Sequence, residues 1–363
     1  MAGAPSIHAT KGTGVTSLVG QWLGAYQMEA ELGRGTMGVV YRAKHAQNGK
    51  QFAVKVLIDA LSADLTFVTR FRREAAIVSQ LNHPNIVRVY ESGKQDRHIY
   101  FVMDYFPGVT AGYMLRERKR LPYGEVIEIA AQAADALAYA HVEGRLVHRD
   151  VKPENMLVDR WRRVKLLDFG LARIEGMDAI TRAGTVVGSL YYVSPEQLLG
   201  RKLDGRSDVY ALGVSMYELL TGQRPYRGQT LTEMSDAILY ATAIPPRQLE
   251  ASVPQELERI IAKSMARELS QRYASAGDLR DDLRALQATI TPPTTAEVAD
   301  QAQRQASITS LGPRLSIPQG PALAPAEPAQ PEARRTLRSS FRPASLEPAP
   351  MDEQRAPRPS QQR

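Results

Sequence analysis

The segment that most constrains this chain is a polar loop, His148-Arg149-Asp150-Val151-Lys152-Pro153-Glu154-Asn155, which is flanked on both sides by apolar residues. The loop supplies a carboxylate at Asp150, an ammonium group at Lys152 and an amide oxygen at Asn155. Phosphoryl transfer needs a carboxylate to orient a hydroxyl and accept its proton, a cation beside the transferring group, and an oxygen ligand for Mg²⁺. The spacing therefore predicts a catalytic loop for phosphoryl transfer to a hydroxyl.

A second acidic motif, Asp168-Phe169-Gly170, follows the strand-like residues Val164 to Leu167. Standing alone, such a tripeptide is most often a surface turn. Because it lies downstream of the catalytic loop, its carboxylate is predicted to bind a metal ion together with Asn155. The expected metal is Mg²⁺, with Mn²⁺ as an alternative.

The glycine pattern Gly33-Arg34-Gly35-Thr36-Met37-Gly38 lies near the start of the chain. Dinucleotide-binding folds share this spacing, but there the glycines open a helix. Here Val39 to Ala43 follows, a run that predicts the return strand of a hairpin. Glycines would let that hairpin lie close over a polyphosphate and offer it backbone N–H groups. A glycine-rich hairpin without a ligand remains the alternative at this point.

The predicted strand Gln51 to Leu57 carries Lys55 on the face opposite Val54 and Val56. A lysine at such a position is ordinarily just solvated. The helix that follows, however, contains Glu74 within an apolar stripe. Because an ionised carboxylate in that setting is costly unless it is paired, Lys55 is its predicted partner, oriented by the pair toward the α- and β-phosphates.

Strand patterns fill the first third of the folded region, and longer helical patterns such as Tyr123 to His141 fill the rest. This order predicts an α+β fold with two lobes, a small β-rich N-lobe with one major helix and a larger, mainly helical C-lobe, separated by a ligand cleft.

The tail is rich in Pro, Ala and Arg and cannot bury enough apolar surface to fold. We expect a flexible leader at 1–23, the folded domain at 24–288 with lobes at 24–104 and 105–288, and a disordered tail at 289–363.

Composition narrows the class of partners. The chain of 363 residues has a net charge of +7, but its basic residues are scattered, so nucleic-acid binding is not expected. It contains no cysteine, which excludes disulfides and cysteine-ligated metal sites. No apolar run reaches the roughly 18 residues that a membrane span needs. We therefore expect a cytoplasmic protein without a membrane partner.

Taken together, these motifs resemble the protein kinase family over about residues 26 to 285, and most closely the eukaryotic-like (Hanks-type) serine/threonine kinases of bacteria. The resemblance implies a bilobal protein kinase fold. It also implies an enzyme that transfers the γ-phosphoryl group of Mg-ATP to Ser or Thr hydroxyls of protein substrates. Lys152, two positions after Asp150, is typical of the serine/threonine class.

The resemblance assigns roles to individual residues. The implied catalytic residues are Asp150, Lys152, Lys55 and Glu74, and the implied metal ligands are Asn155 and Asp168. The implied nucleotide-binding residues are Gly33, Arg34, Gly35, Gly38, Val40, Ala53, Lys55, Met103, Asp104 and Phe106. Among these, Met103 would be the gatekeeper of a restricted back pocket, and Asp104 to Phe106 would form the hinge whose backbone binds adenine.

The segment Ser194-Pro195-Glu196 matches the end of a kinase activation segment, and Arg272 is the expected partner of its glutamate. Upstream of it, Thr181 and Thr185 are the predicted autophosphorylation sites, because a phosphate there could pair with Arg149. Self-association would allow one copy of the chain to phosphorylate another.

Three alternatives to a protein kinase remain. A pseudokinase would bind nucleotide without catalysis, which the complete set of Lys55, Asp150, Asn155 and Asp168 disfavours. A scaffold would dock partners through the Pro-rich tail, but the tail has no clear PxxP cluster. A kinase of small molecules is disfavoured by Ser194-Pro195-Glu196, which in protein kinases shapes the peptide platform.

Overall fold

Six antiparallel strands form the sheet of the first lobe. They are β1 Trp22–Leu23, β2 Tyr26–Arg34, β3 Gly38–His45, β4 Gln51–Leu57, β5 Val89–Gln95 and β6 His98–Asp104. Their spatial order is β1-β2-β3-β4-β6-β5, so that β4 lies between β3 and β6. The computed structural model describes residues 17–35, 37–62, 65–169 and 188–290, and all of these lie in one compact unit.

Two helices connect β4 to β5, namely α1 Asp59–Ser62 and α2 Leu65–Val78. The sheet and α2 share a small apolar core, in which Val68 and Ala75 of the helix are buried with Leu57, Ile99 and Phe101 of the strands. The packing explains why an apolar stripe recurs along α2.

The second lobe is mainly helical. Its described helices are α3 Ala111–Arg118, α4 Tyr123–Glu143, α5 Pro195–Leu198, α6 Arg206–Thr221, α7 Leu231–Tyr240, α8 Pro246–Leu249, α9 Gln255–Ser264 and α10 Ala276–Thr289. The core of the lobe surrounds α6, which is buried along nearly its whole length. A helix buried on all sides is apolar all round, as the run Val209 to Leu220 largely is.

A small three-stranded sheet, in the order β7-β8-β9, lies in the second lobe beside the cleft. Its strands are β7 Gly108–Thr110, β8 Met156–Asp159 and β9 Val164–Leu166. β8 begins directly after the loop that carries Asp150, and β9 ends shortly before Asp168. The sheet therefore fixes the ends of both acidic motifs.

The predicted α+β fold with two lobes is confirmed. The strand predicted at Gln51 to Leu57 has those bounds, and the helix predicted from Tyr123 begins there. The run after the glycines is a strand, as predicted, and not a helix. Thr110 ends β7 and caps α3, because its Oγ1 accepts the N–H of Tyr113 at 3.0 Å.

Across the described ranges, no helix is both long enough and apolar enough to cross a membrane.

Candidate active site

The floor of the cleft is anchored by one fully buried carboxylate, Asp208 near the start of α6. Its Oδ2 accepts the backbone N–H of His148 at 2.7 Å, and its Oδ1 accepts that of Arg149 at 2.8 Å. His141 Nε2 lies 3.0 Å from Oδ2 as well. Because a buried carboxylate is stable only when its hydrogen-bonding capacity is used, this set of bonds fixes the loop that carries Asp150 to the core of the second lobe.

The three predicted groups of the catalytic loop lie together. Lys152 Nζ donates to both carboxylate oxygens of Asp150, at 2.8 and 2.7 Å. Asn155 Nδ2 donates to the backbone oxygen of Asp150 at 2.8 Å and to its Oδ2 at 2.9 Å. The carboxylate is therefore held in one orientation by two neighbouring side chains, and the amide nitrogen of Asn155 is directed at Asp150.

Backbone strain is found at both acidic motifs. Arg149, next to Asp150, has φ 67°, and Asp168 has φ 56°. This left-handed region is uncommon for residues other than glycine and costs free energy that the surrounding structure must offset. The bonds to Asp208 provide such support at Arg149.

Asp168 and Lys55 form an ion pair between the lobes, with Nζ 2.8 Å from Oδ2. Burial on its own would raise the pKa of Asp168, but the charge and hydrogen bond of Lys55, aided by His148 and Lys152, bring that pKa below its ordinary value. Asp168 is therefore a carboxylate at neutral pH.

The side chain of Glu74 lies outside the described part of the structure, although its backbone belongs to α2. The predicted pairing of Lys55 with Glu74 thus stays a prediction. The described partner of Lys55 is Asp168.

Phe169 anchors the second acidic motif in the core. Its ring is buried and lies 4.4 Å, between centroids, from the ring of His148. Beside it is a small cavity whose lining includes Val78 of α2, Met103 and Phe169. The restricted back pocket behind Met103 stays a prediction.

An apolar cluster shared by the two lobes, called the adenine cluster after its predicted ligand, lies beside the predicted hinge. Ala53 and Met103 are buried in it together with Val87, and Val40 packs against them. Leu157 and Leu167 of the second lobe complete the cluster. Sequence reasoning missed these two leucines, although each stands within two residues of a predicted metal ligand, where strand alternation would have suggested them.

The glycine-rich hairpin connects β2 to β3, and the N–H of Gly35 donates to the oxygen of Gly38 at 2.9 Å. A Cβ on Gly38 would lie 2.1 Å from the backbone oxygen of Val56, so the sheet itself requires glycine there. Among the described residues, nothing lies within 4 Å of where a Cβ on Gly33 or Gly35 would be. Contacts with the described residues therefore do not explain why glycine stands at these two positions. Arg34 pairs with Glu31 of the same strand at 2.9 Å.

The predicted hinge follows β6. The N–H of Asp104 donates to the oxygen of Arg88 at 2.9 Å, and its carboxylate contacts Tyr90 and Lys165. The ring of Phe106 is partly buried, with the guanidinium of Arg163 6.0 Å from its centroid. The side chains of the hinge are thus held by neighbours.

The end of the activation segment is fixed by a buried ion pair. Arg272 Nη1 and Nη2 lie 2.8 and 3.2 Å from the two carboxylate oxygens of Glu196, which confirms the expected pairing. Ser207 also donates to this carboxylate, at 2.7 Å. Thr181 and Thr185 lie outside the described residues, as does Gly170.

The predicted metal ligands, Asn155 and Asp168, each carry an oxygen atom that could bind a divalent ion. Within the described ranges, no group of three or more His, Asp and Glu side chains could hold a metal ion. Mg²⁺ is commonly held by one or two carboxylates together with substrate phosphates and water. The ionised carboxylate of Asp168 and the amide oxygen of Asn155 fit that pattern, because the amide nitrogen of Asn155 is already directed at Asp150.

Comparison with known proteins agrees with this geometry. The family described as the protein kinase domain matches residues 26–282. The serine/threonine-protein kinase PrkC of Bacillus subtilis is 38% identical over 261 residues, which cover 72% of this chain and 40% of PrkC. The serine/threonine-protein kinase PknB of Mycobacterium leprae is 35% identical over 303 residues, which cover 82% of this chain and 48% of PknB. The chain therefore spans about half the length, or less, of these curated relatives.

Solved structures show the same likeness. The kinase domain of Mycobacterium tuberculosis PknI matches with a TM-score of 0.60 and 29% identity, over 74% of this chain and 99% of that domain.

Proposed function

Because this chain belongs to the protein kinase domain family, we propose that it is an ATP-dependent serine/threonine protein kinase, which transfers the γ-phosphoryl group of ATP to Ser or Thr hydroxyls of protein substrates. The curated relatives with which it aligns are named serine/threonine-protein kinases. Lys152, in its place after Asp150, supports the same acceptor class.

The observation that carries the proposal is the hydrogen-bonded group of Asp150, Lys152 and Asn155. Held in this way, the Asp150 carboxylate can accept a hydrogen bond from the acceptor hydroxyl, direct its oxygen toward the γ-phosphorus and take its proton as the new P–O bond forms. The bond between the γ-phosphorus and the bridging oxygen of ATP breaks in the same transfer, and ADP leaves with that oxygen. Lys152 supplies a positive charge beside the oxygen atoms that gain negative charge.

The remaining residues of the cleft bind and orient the nucleotide. The apolar cluster around Ala53 and Met103 suits the adenine ring, and the open hairpin at Gly33 and Gly35 suits the phosphates. Lys55 would contact the phosphates that lie nearest Asp168. Glu74 is the proposed further support for Lys55.

Magnesium, when bound with ATP, would neutralise part of the negative charge of the phosphates. Asn155 and Asp168 are the residues of this chain proposed to hold it. Lys55 keeps Asp168 ionised, so a charged ligand is available throughout the neutral pH range. Manganese, which prefers similar oxygen ligands, is the proposed substitute.

The proposal includes autophosphorylation at Thr181 or Thr185. A phosphate on either residue would carry close to two negative charges, which a cation such as Arg149 can pair with. Self-association of two copies would bring one activation segment to the catalytic loop of the other. The proposed location is the cytoplasm, where ATP is supplied.

The test compares wild type with Asp150→Asn, which keeps the shape of the side chain and removes the base. Transfer of labelled γ-phosphate from Mg-ATP to a generic basic acceptor protein should fall by about a thousandfold, since a positioned base contributes roughly that factor. Asp96→Asn, at an exposed turn between β5 and β6, is the matched control and should leave the rate unchanged. If neither the wild type nor the variant transfers phosphate while both bind ATP, the proposed catalysis is contradicted and the pseudokinase alternative is favoured.

A further inference from the structure

The carboxylate of Asp104, at the end of β6, has a neighbour on each oxygen. Tyr90 donates its hydroxyl hydrogen to Oδ1 at 2.6 Å, and Lys165 Nζ lies 3.5 Å from Oδ2. The hydrogen bond to Asp104, followed by burial, raises the pKa of Tyr90, so its hydroxyl remains a donor at neutral pH. A side chain at the predicted hinge is thus held from two directions.

Lys165 reaches this carboxylate from the other lobe. It lies on β9, and its ammonium group also donates to the backbone oxygen of Ile86 at 2.9 Å. The backbone beside it is paired already: Val87 donates to the oxygen of Leu166 at 3.0 Å, and Leu166 donates to the oxygen of Asn85 at 2.8 Å. Because these backbone bonds hold β9 in place without the lysine, the lysine side chain is not needed to form the strand pairing.

The contact between Lys165 and Asp104 matters because of where Lys165 lies in the chain. β9 leads through Leu167 directly into Asp168, the proposed metal ligand. Asp104 directly follows Met103 of the adenine cluster in the chain. One side-chain contact therefore connects the residue that borders the adenine region with the strand that carries the phosphate-side carboxylate. Both side chains are mostly buried, at 18% and 26% exposure, so water screens the pair only in part.

We propose that Lys165, acting through Asp104 and Tyr90, is a positioning residue that fixes the distance between the adenine end and the phosphate end of the nucleotide site. The inference rests on the proposed function, because it assumes that one nucleotide spans both ends. A ligand that occupies only the adenine end gains nothing from this connection. A ligand that must contact both ends gains from having them held at the correct separation.

The test measures binding of adenosine and of Mg-ATP to the full chain and to Lys165→Met, which keeps the length of the side chain and removes its charge. We expect the dissociation constant for Mg-ATP to rise about fivefold and that for adenosine to change by less than about twofold, as the loss of one partly exposed ion pair would produce. Lys165→Arg should restore tight Mg-ATP binding, because its guanidinium can reach the same two acceptors.

Two further variants sharpen the test. The double variant Asp104→Asn/Lys165→Met should weaken Mg-ATP binding no more than Asp104→Asn or Lys165→Met alone, because each substitution removes the same contact. Lys94→Met, an exposed lysine on β5, is the matched control and should leave both constants unchanged.

In steady-state assays of Lys165→Met, the KM for ATP should rise while kcat stays within about twofold, which identifies loss of binding and not of chemistry. The inference is overturned if adenosine and Mg-ATP are weakened equally, or if neither changes. A wild-type chain that binds both ligands but transfers no phosphate would contradict the proposed function and leave the binding comparison valid. A wild-type chain that binds neither ligand would contradict both.

Discussion

The two walls of the cleft are built in different ways. The lower wall, residues 148–155 with their anchor Asp208, is held by buried hydrogen bonds, among them those from His148 and Arg149. The upper wall, the hairpin Gly33 to Gly38, has open space around the sites where Gly33 and Gly35 would carry a side chain. In the lower wall, folding and chemistry constrain the same residues. In the upper wall, packing explains glycine at Gly38 but not at Gly33 and Gly35, whose glycines we attribute to the proposed nucleotide.

The comparison predicts that changes below the cleft act on stability and changes above it act on nucleotide binding. Arg272→Met tests the lobe below the cleft most severely, because it leaves the buried carboxylate of Glu196 without its cation. We expect a loss of about 3–5 kcal/mol in the free energy of unfolding. Urea denaturation followed by circular dichroism measures it.

Arg259→Met is the matched control, since its ion pairs with Glu256 and Asp282 are exposed to water and should contribute less than about 1 kcal/mol. Equal losses in the two variants would show that burial does not determine the cost of breaking an ion pair in the lobe below the cleft.

Gly38, where the hairpin of the upper wall joins the sheet, should affect stability, as the lower wall does. In Gly38→Ala the added methyl group would collide with the backbone oxygen of Val56, which cannot move without disturbing β4. Overpacking of this kind costs about 1–3 kcal/mol of stability. Thermal unfolding measures the change, and an unchanged Tm would mean that the edge of the sheet yields easily.

The pH dependence of the free energy of unfolding reports whether Glu196 is ionised or protonated. Burial raises the pKa of Glu196, but Arg272 and Ser207 together lower it by more than burial raises it. The folded-state pKa therefore lies below the ordinary value. The stabilisation is therefore complete above the unfolded-state pKa of about 4.3 and is lost as pH falls through the lower folded-state value.

Without Arg272, burial is opposed only by the hydrogen bonds from Ser207 and the backbone, and the folded-state pKa of Glu196 should rise above its unfolded-state value. The sign then reverses, since the raised pKa costs stability as pH rises through it. The stability difference between wild type and Arg272→Met should therefore be smaller at pH 5 than at pH 7. A difference that is constant over this interval would contradict the assignment.

The tip of the upper wall should show the smallest effect on stability. Gly35→Ala adds a methyl group in open space, so the free energy of unfolding should change by less than about 0.5 kcal/mol. Its KM for ATP should nevertheless increase, because the methyl group occupies space that the phosphates need. Steady-state kinetics over a range of ATP concentrations measures this, and a lower Tm with an unchanged KM would show that the glycine serves the fold.

Sequence reasoning succeeded where structure follows from local pattern. Alternation gave the strand Gln51–Leu57, and helical spacing gave the helix that begins at Tyr123. The groups of the catalytic loop could be predicted because Asp150, Lys152 and Asn155 lie within one short turn, where spacing nearly determines geometry.

Contacts between the lobes could not be predicted in the same way. Leu157 joins the adenine cluster only because the second lobe closes against β4. The bond from Lys55 to Asp168 likewise depends on how the lobes pack, and no local pattern encodes that packing. For the same reason, the contact of Lys165 with Asp104 was not foreseen.

The central claim is that this cleft transfers the terminal phosphate of ATP to protein hydroxyls. The most direct measurement incubates the full chain and an acceptor protein with Mg-ATP labelled at either the γ- or the α-phosphate, and identifies the labelled amino acid. The account predicts label from the γ-position only, in phosphoserine or phosphothreonine, and none in the Asp150→Asn sample. Absence of γ-label from a chain that binds Mg-ATP, or equal labelling by the Asp150→Asn variant, would contradict it.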